Sequence, residues 1–199
     1  MPPVPQLDHV IWAVPAIAPA AEALRRDHGL ITLPGGVHPA WGTRNAIVPL
    51  AGAYLELVEV ADPEAPRVGF TRRVAEVAAA GGGLALWCAR VDDIQREAAA
   101  RGYAVVPGIR ENADGTVLSW QVAGMPAACA TPVLPFLIQW DDPSAMPGVM
   151  AVEHPCGRIG RVHLDVGRSG LEGLHITAGD AEILVTGGVS PPGAPSPSR

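Results

Sequence analysis

A histidine and a glutamate, each set inside an apolar strand-like run, are the residues of this chain best suited to chemistry. His9 lies in Leu7-Asp8-His9-Val10-Ile11-Trp12-Ala13-Val14 and Glu56 in Tyr54-Leu55-Glu56-Leu57-Val58-Glu59-Val60. An imidazole titrates near neutrality and a carboxylate among apolar neighbours needs a partner, so the pair suits proton transfer or metal ligation. The first run recurs in outline as Leu84-Ala85-Leu86-Trp87-Cys88-Ala89-Arg90-Val91, and the second as Phe136-Leu137-Ile138-Gln139-Trp140-Asp141. The second half thus sets Leu86 and Gln139 where the first sets a His and a Glu. A repeat that supplied His and Glu twice would build a four-ligand metal centre, and this one keeps half of it.

A second group is His38, Trp41, Arg44 and Asn45, following Gly35-Gly36. An aromatic wall, an arginine able to grip a carboxylate or phosphate in bidentate fashion, and an amide that both donates and accepts are the parts of a small-molecule pocket. Arg44 and Asn45 have opposite strand parity, so only a bulge would let both face one cavity. Trp87, Trp120, Trp140 and Gln139 are expected as core or cavity wall. Glu59 falls on the face opposite Glu56 and is expected at the surface or near a helix, and His154, His163 and His175 are expected in surface or packing roles.

Other chemistries are excluded by what the chain lacks. All 14 basic residues are arginine, which removes Schiff-base, general-base and P-loop lysines. There is no Gly-x-Ser-x-Gly elbow and no H-E-x-x-H helix, and Gly81-Gly82-Gly83 is not a dinucleotide fingerprint. The formal net charge of -6 argues against nucleic acid as a partner. Three separated cysteines without a CxxC pair point to reduced thiols, and no apolar run reaches the roughly 20 residues that span a bilayer. A cytoplasmic protein with a small-molecule partner is expected, monomeric or homodimeric, without nucleic acid or membrane.

The elements that must position these residues follow from periodicity and punctuation. Residues 7–14 form a strand apolar on both faces, 16–28 a helix stopped by Gly29, and 35–42 a loop or irregular strand. Strands 43–50 and 53–60 form a hairpin through Gly52. A connector over 61–83 holds a short helix from Gly69 to Ala80. Strand 84–91, a helix from about Asp93 to Arg101, and strands 103–106, 116–122 and 135–140 repeat the order, with a turn at Asn112-Ala113-Asp114-Gly115. The domain plan is a first βαβββ module over 6–60, the connector, a second module over 84–141, a short β unit over 150–188 with strands 161–166, 173–177 and 182–186, and a disordered tail over 190–199.

This paired βαβββ order, with Leu7-Asp8-His9-Val10, His38-Pro39-Ala40-Trp41-Gly42-Thr43-Arg44-Asn45, Tyr54-Leu55-Glu56-Leu57 and Pro135-Phe136-Leu137-Ile138-Gln139-Trp140-Asp141, resembles the glyoxalase-like domain proteins of the vicinal oxygen chelate superfamily. The resemblance implies an α+β fold in which curled mixed sheets surround a shared cavity, with an incomplete C-terminal β-rich extension. It implies that His9 and Glu56 hold the first module's metal-ligand positions, with His38 or Gln139 as a third ligand to one divalent ion (Mn, Ni, Zn or Fe). It also implies a lyase or isomerase acting on a small oxygenated metabolite, with His9 and Glu56 catalytic. Two alternatives stay open: a metal-free binding or sequestration protein, and an iron-dependent dioxygenase.

Overall fold

The computed structural model describes residues 6–50, 52–111, 115–157, 159–167, 170–178 and 181–185. β1 (Gln6–Ala13), α1 (Ile17–His28), β2 (Leu33–His38), β3 (Thr43–Leu50) and β4 (Ala53–Val60) make one βαβββ unit. After α2 (Gly69–Ala79), a second unit is built from β5 (Gly83–Arg90), α3 (Ile94–Ala99), β6 (Val105–Glu111), β7 (Val117–Ala123), α4 (Met125–Ala130) and β8 (Phe136–Trp140). The two units share a single curled eight-stranded sheet in the order β2-β3-β4-β1-β5-β8-β7-β6. β1 runs parallel to β4 and β5 parallel to β8, and the antiparallel β1–β5 ladder joins the halves. The α+β class with paired βαβββ units is therefore the one observed.

Apolar residues occupy both faces of the central strands because both faces are covered. On the convex side Val10, Val48, Leu55 and Leu57 pack under Ile17, Ala21 and Leu24 of α1, while Ala89 and Leu137 pack under Ile94 and Ala98 of α3. On the concave side Ile11, Tyr54, Val58, Leu86, Cys88, Phe136, Ile138 and Trp140 form the largest cluster, with Phe70, Val74 and Val77 of α2 packed into it. Each fully buried Leu here contributes about 1.5–3 kcal/mol.

α1 starts without a capping side chain at Ala16. Glu59 of β4 takes over that role: its carboxylate accepts the Ile17 N–H and pairs with Arg44, its register partner on β3. An acid at a helix N-terminus satisfies an orphan donor and complements the dipole. Glu59 is thus buried and positions a helix. Glu59→Ala is expected to lower stability by about 1–3 kcal/mol in urea denaturation, since it strands a half-buried N–H.

Gly35-Gly36-Val37-His38 is the irregular strand among the two expected forms, with a register shift between Pro34 and Val37, and the loop is confined to 39–42. Two elements differ from the sequence expectation. The strand expected at 103–106 begins at Val105, because the Tyr103 N–H still bonds the Ala98 carbonyl behind Gly102 at φ +68°. α4, an alanine-rich turn after Gly124, was not anticipated.

The chain after β8 folds back over the first unit. His154 is buried, accepting the Ile31 N–H at Nδ1 (2.9 Å) and donating from Nε2 to the Pro49 carbonyl (2.8 Å). β9 (Ile159–Gly167), β10 (Gly170–Ala178) and β11 (Ala181–Val185) form a separate three-stranded antiparallel sheet, longer at both leading strands than the sequence suggested. The tail expected over 190–199 and the turn residues 112–114 lie outside the described residues.

Candidate functional site

His9 and Glu56 meet on the concave face. Pairing β1 with β4 sets His9 beside Tyr54 and Ile11 beside Glu56, which brings His9 Nε2 to 3.6 Å from Glu56 Oε2. The imidazole is wedged between aromatic rings, stacked on Tyr54 at 4.6 Å between centroids and met edge-on by Phe136 at 5.4 Å. Burial comes first among the causes that raise the Tyr54 phenol well above its ordinary value, followed by the nearby acids, so it stays protonated.

Asp8 fixes the histidine. Simple alternation would send Asp8 to the opposite face from His9, but the β1–β5 ladder has a bulge there: Leu7 pairs with Ala89 and His9 already with Cys88. The extra residue re-aims Asp8 under the sheet. His9 Nδ1 donates to Asp8 Oδ1 at 2.7 Å, and Trp140 Nε1 donates to Oδ2 at 2.9 Å. Arg90 lies 3.7 Å from the same carboxylate. With its proton held at Nδ1, His9 presents the lone pair of Nε2 to the cavity.

Asn45 fixes the glutamate. Its Oδ1 accepts the Gly36 N–H at 2.6 Å, which orients the amide so that Nδ2 donates to Glu56 Oε1. Gly35 has no alternative, because a Cβ there would sit 2.1 Å from Asn45 Oδ1. His38 flanks the carboxylate on the other side, its Nε2 3.9 Å from Glu56 Oε1 and its Nδ1 3.0 Å from Thr43 Oγ1. Burial holds His38 below the ordinary histidine value, with Glu56 opposing and Arg110 reinforcing the shift, so it is neutral at pH 7.

These side chains line a cavity of about 500 Å³ on the concave side. Trp41, Trp120, Trp140, Phe70 and Phe136 supply its aromatic walls, and Arg110 from β6 enters it. Of the residues singled out in the sequence, His9, His38, Trp41, Asn45, Glu56, Trp120 and Trp140 come together here. Arg44 does not line the cavity, because its parity sends it to Glu59 on the outer face. Trp87 also points outward, packing beside Ile94 and donating to the Val133 carbonyl.

Gln139 faces α3, where its Oε1 accepts the Ile94 N–H at 2.9 Å. It is not a third ligand. In the repeat Ile11 corresponds to Cys88, and the ladders pair Ile11 with Glu56 and Cys88 with Phe136, so Phe136 stands where Glu56 does. At the two ligand-equivalent positions the second half of the site is apolar. Asp8, Tyr54 and Arg110 were missed in the sequence. An acid directly beside His9 was the available signal for Asp8, whereas Arg110 carried none.

Two sets of donor atoms lie close enough together to be compared with the needs of a divalent ion. Asp8, His9 and Cys88 offer atoms within 4.8 Å of one another. That set does not fit, since Asp8 Oδ1 is held by His9 Nδ1 and Asp8 Oδ2 by Trp140 Nε1. His9 Nε2 and Glu56 Oε2 do fit, because two atoms bound at zinc-like distances in a tetrahedral site lie roughly 3.4 Å apart. The Asp8 carboxylate behind His9 is also the orienting partner such a ligand needs. His38 Nε2 approaches Glu56 Oε1 (3.9 Å) but is not gathered with both residues at ligand spacing.

A family description reading "Glyoxalase-like domain" matches residues 7–181. No curated protein matches the chain in sequence. Among solved structures, a hypothetical protein from Staphylococcus aureus is 16% identical with a TM-score of 0.54, over 93% of this chain and 87% of that one. A variant of Streptomyces coelicolor methylmalonyl-CoA epimerase in complex with 2-nitronate-propionyl-CoA is 18% identical with a TM-score of 0.51, over 73% of this chain and 99% of that one. At these identities the likeness is one of fold. Among the described residues, no helix is long and apolar enough to cross a membrane.

Proposed function

This chain belongs to the glyoxalase-like domain family of the vicinal oxygen chelate superfamily, and on that basis we propose that it is an enzyme moving a proton on a small oxygenated carbon acid, an isomerase or lyase reaction. The observation that carries the reading is the facing of His9 Nε2 and Glu56 Oε2 across 3.6 Å in the cavity wall, each locked by its own buried partner. Asn45 occupies Glu56 Oε1 and leaves Oε2 as the atom that accepts a proton from a substrate carbon. His9 Nε2, beside it, is the second site at which a proton is held or returned. The apolar walls exclude water and strengthen both interactions.

A divalent ion held by His9 Nε2 and Glu56 Oε2 would occupy those lone pairs and would supply instead a Lewis acid that polarises the substrate's oxygens. Metal content by mass spectrometry tests this on protein purified without chelator, after exposure to manganese, nickel, zinc or iron. Near-stoichiometric metal in the wild type, lost in both His9→Ala and Glu56→Gln, would select the Lewis acid over direct proton transfer. A wild type that stays metal-free removes the Lewis acid and leaves proton transfer to Glu56 and His9 alone.

The second reading is a metal-free binding protein. It is favoured by the apolar second half, where Leu86 and Phe136 stand, and by the three tryptophans of the cavity wall. Ligand-dependent tryptophan fluorescence without metal dependence and without turnover would select it. Either reading has a small molecule as partner, and the three free cysteines accord with a cytoplasmic setting.

A further inference from the structure

Arg110 brings a cation into the cavity. It lies on β6, one edge of the curled sheet, and its side chain crosses toward β2 at the other edge. A Cβ placed on Gly36 of β2 would come within 3.1 Å of Arg110 Cδ, so the arginine stem lies directly on the glycine. Its Nε is buried without a hydrogen-bond partner, and among the described residues no carboxylate lies within ion-pair distance. Yet the guanidinium is close enough to act electrostatically on His38 and Tyr54, both in the cavity wall. A buried donor left unsatisfied is costly unless a ligand satisfies it.

We propose that Arg110 is the anchor for a substrate carboxylate, so that the cavity takes a small monocarboxylic acid with an apolar end. This rests on the reading of His9 and Glu56 as the reacting groups, and it adds the substrate class. A guanidinium grips a carboxylate through two parallel N–H donors. One arginine matches one negative charge, and the Glu56 carboxylate in the same cavity opposes a phosphate dianion. The apolar end has its own surface: Trp41, Val106 and Ile109 line the cavity yet are 40%, 54% and 74% exposed, forming an apolar rim at the mouth.

The test uses phenylpyruvate, its neutral methyl ester and phenyl phosphate, titrated against the full-length protein by tryptophan fluorescence and calorimetry. The acid is expected to bind roughly tenfold or more tighter than the ester. Arg110→Gln should erase that preference and leave ester binding unchanged, while Arg110→Lys recovers part of it. Equal binding of acid and ester, no binding of the acid, tighter binding of the phosphate, or an intact preference in Arg110→Gln would each overturn the proposal. His9→Ala and Glu56→Gln are read by metal content and proton exchange, whereas Arg110→Gln is read by the acid-over-ester preference. A failure of the reaction reading therefore shows in those measurements with the acid preference intact, and a failure of the anchor shows as the reverse.

Discussion

Glu56→Gln is expected to slow proton exchange at the substrate carbon by roughly 10²–10⁴-fold, the range that a positioned general base contributes. The amide matches the carboxylate in shape, and its oxygen can still accept the Asn45 N–H that now reaches Oε1. What it loses is the lone-pair basicity of Oε2, the atom facing His9 Nε2. The fold should persist, with an unfolding midpoint close to that of the wild type. Exchange is read by proton NMR in deuterated water on the carbon acid that binds. A variant that exchanges at the wild-type rate would remove Glu56 from the reaction and move the function toward binding.

Asp8→Ala is expected to cost about 3–5 kcal/mol in stability, the range for deleting one partner of a buried charged pair. Asp8 is 1% exposed and ties together His9, Trp140 and Arg90, which come from three different strands. Its loss leaves the indole N–H and the imidazole N–H unsatisfied in an apolar core. Asp8→Asn keeps the volume but turns one donor toward another, so the proton on His9 is displaced from Nδ1 to Nε2 and the lone pair facing Glu56 is lost. Urea denaturation measures the first effect, and nitrogen NMR of His9 reports the tautomer. A cost under about 1 kcal/mol for the alanine variant would show that the three strands are held by packing alone.

Much of the frame was readable because the information is local. Hydrophobic runs bounded by Gly and Pro mark the strands, and two similar runs a fixed distance apart reveal the repeat. The parity argument at Arg44 and Asn45 also holds in three dimensions, with Asn45 inward and Arg44 outward. Alternation alone could not place Asp8 beside His9, because a bulge inserts one residue there. The repeat alignment failed at Gln139, which was matched to Glu56 by its polarity, whereas the ladder places Phe136 there.

The sequence by itself determined the α+β class, the doubled βαβββ order and the placing of one His and one Glu on strands of the first unit, because residue type and period act over a few positions. Only the tertiary structure decided that Asp8 locks His9, that Asn45 and Gly35 lock Glu56, and that Arg110 enters the cavity from the far edge of the sheet. Each of these depends on ladder register between strands distant in the chain, and a shift of one residue would reverse every face.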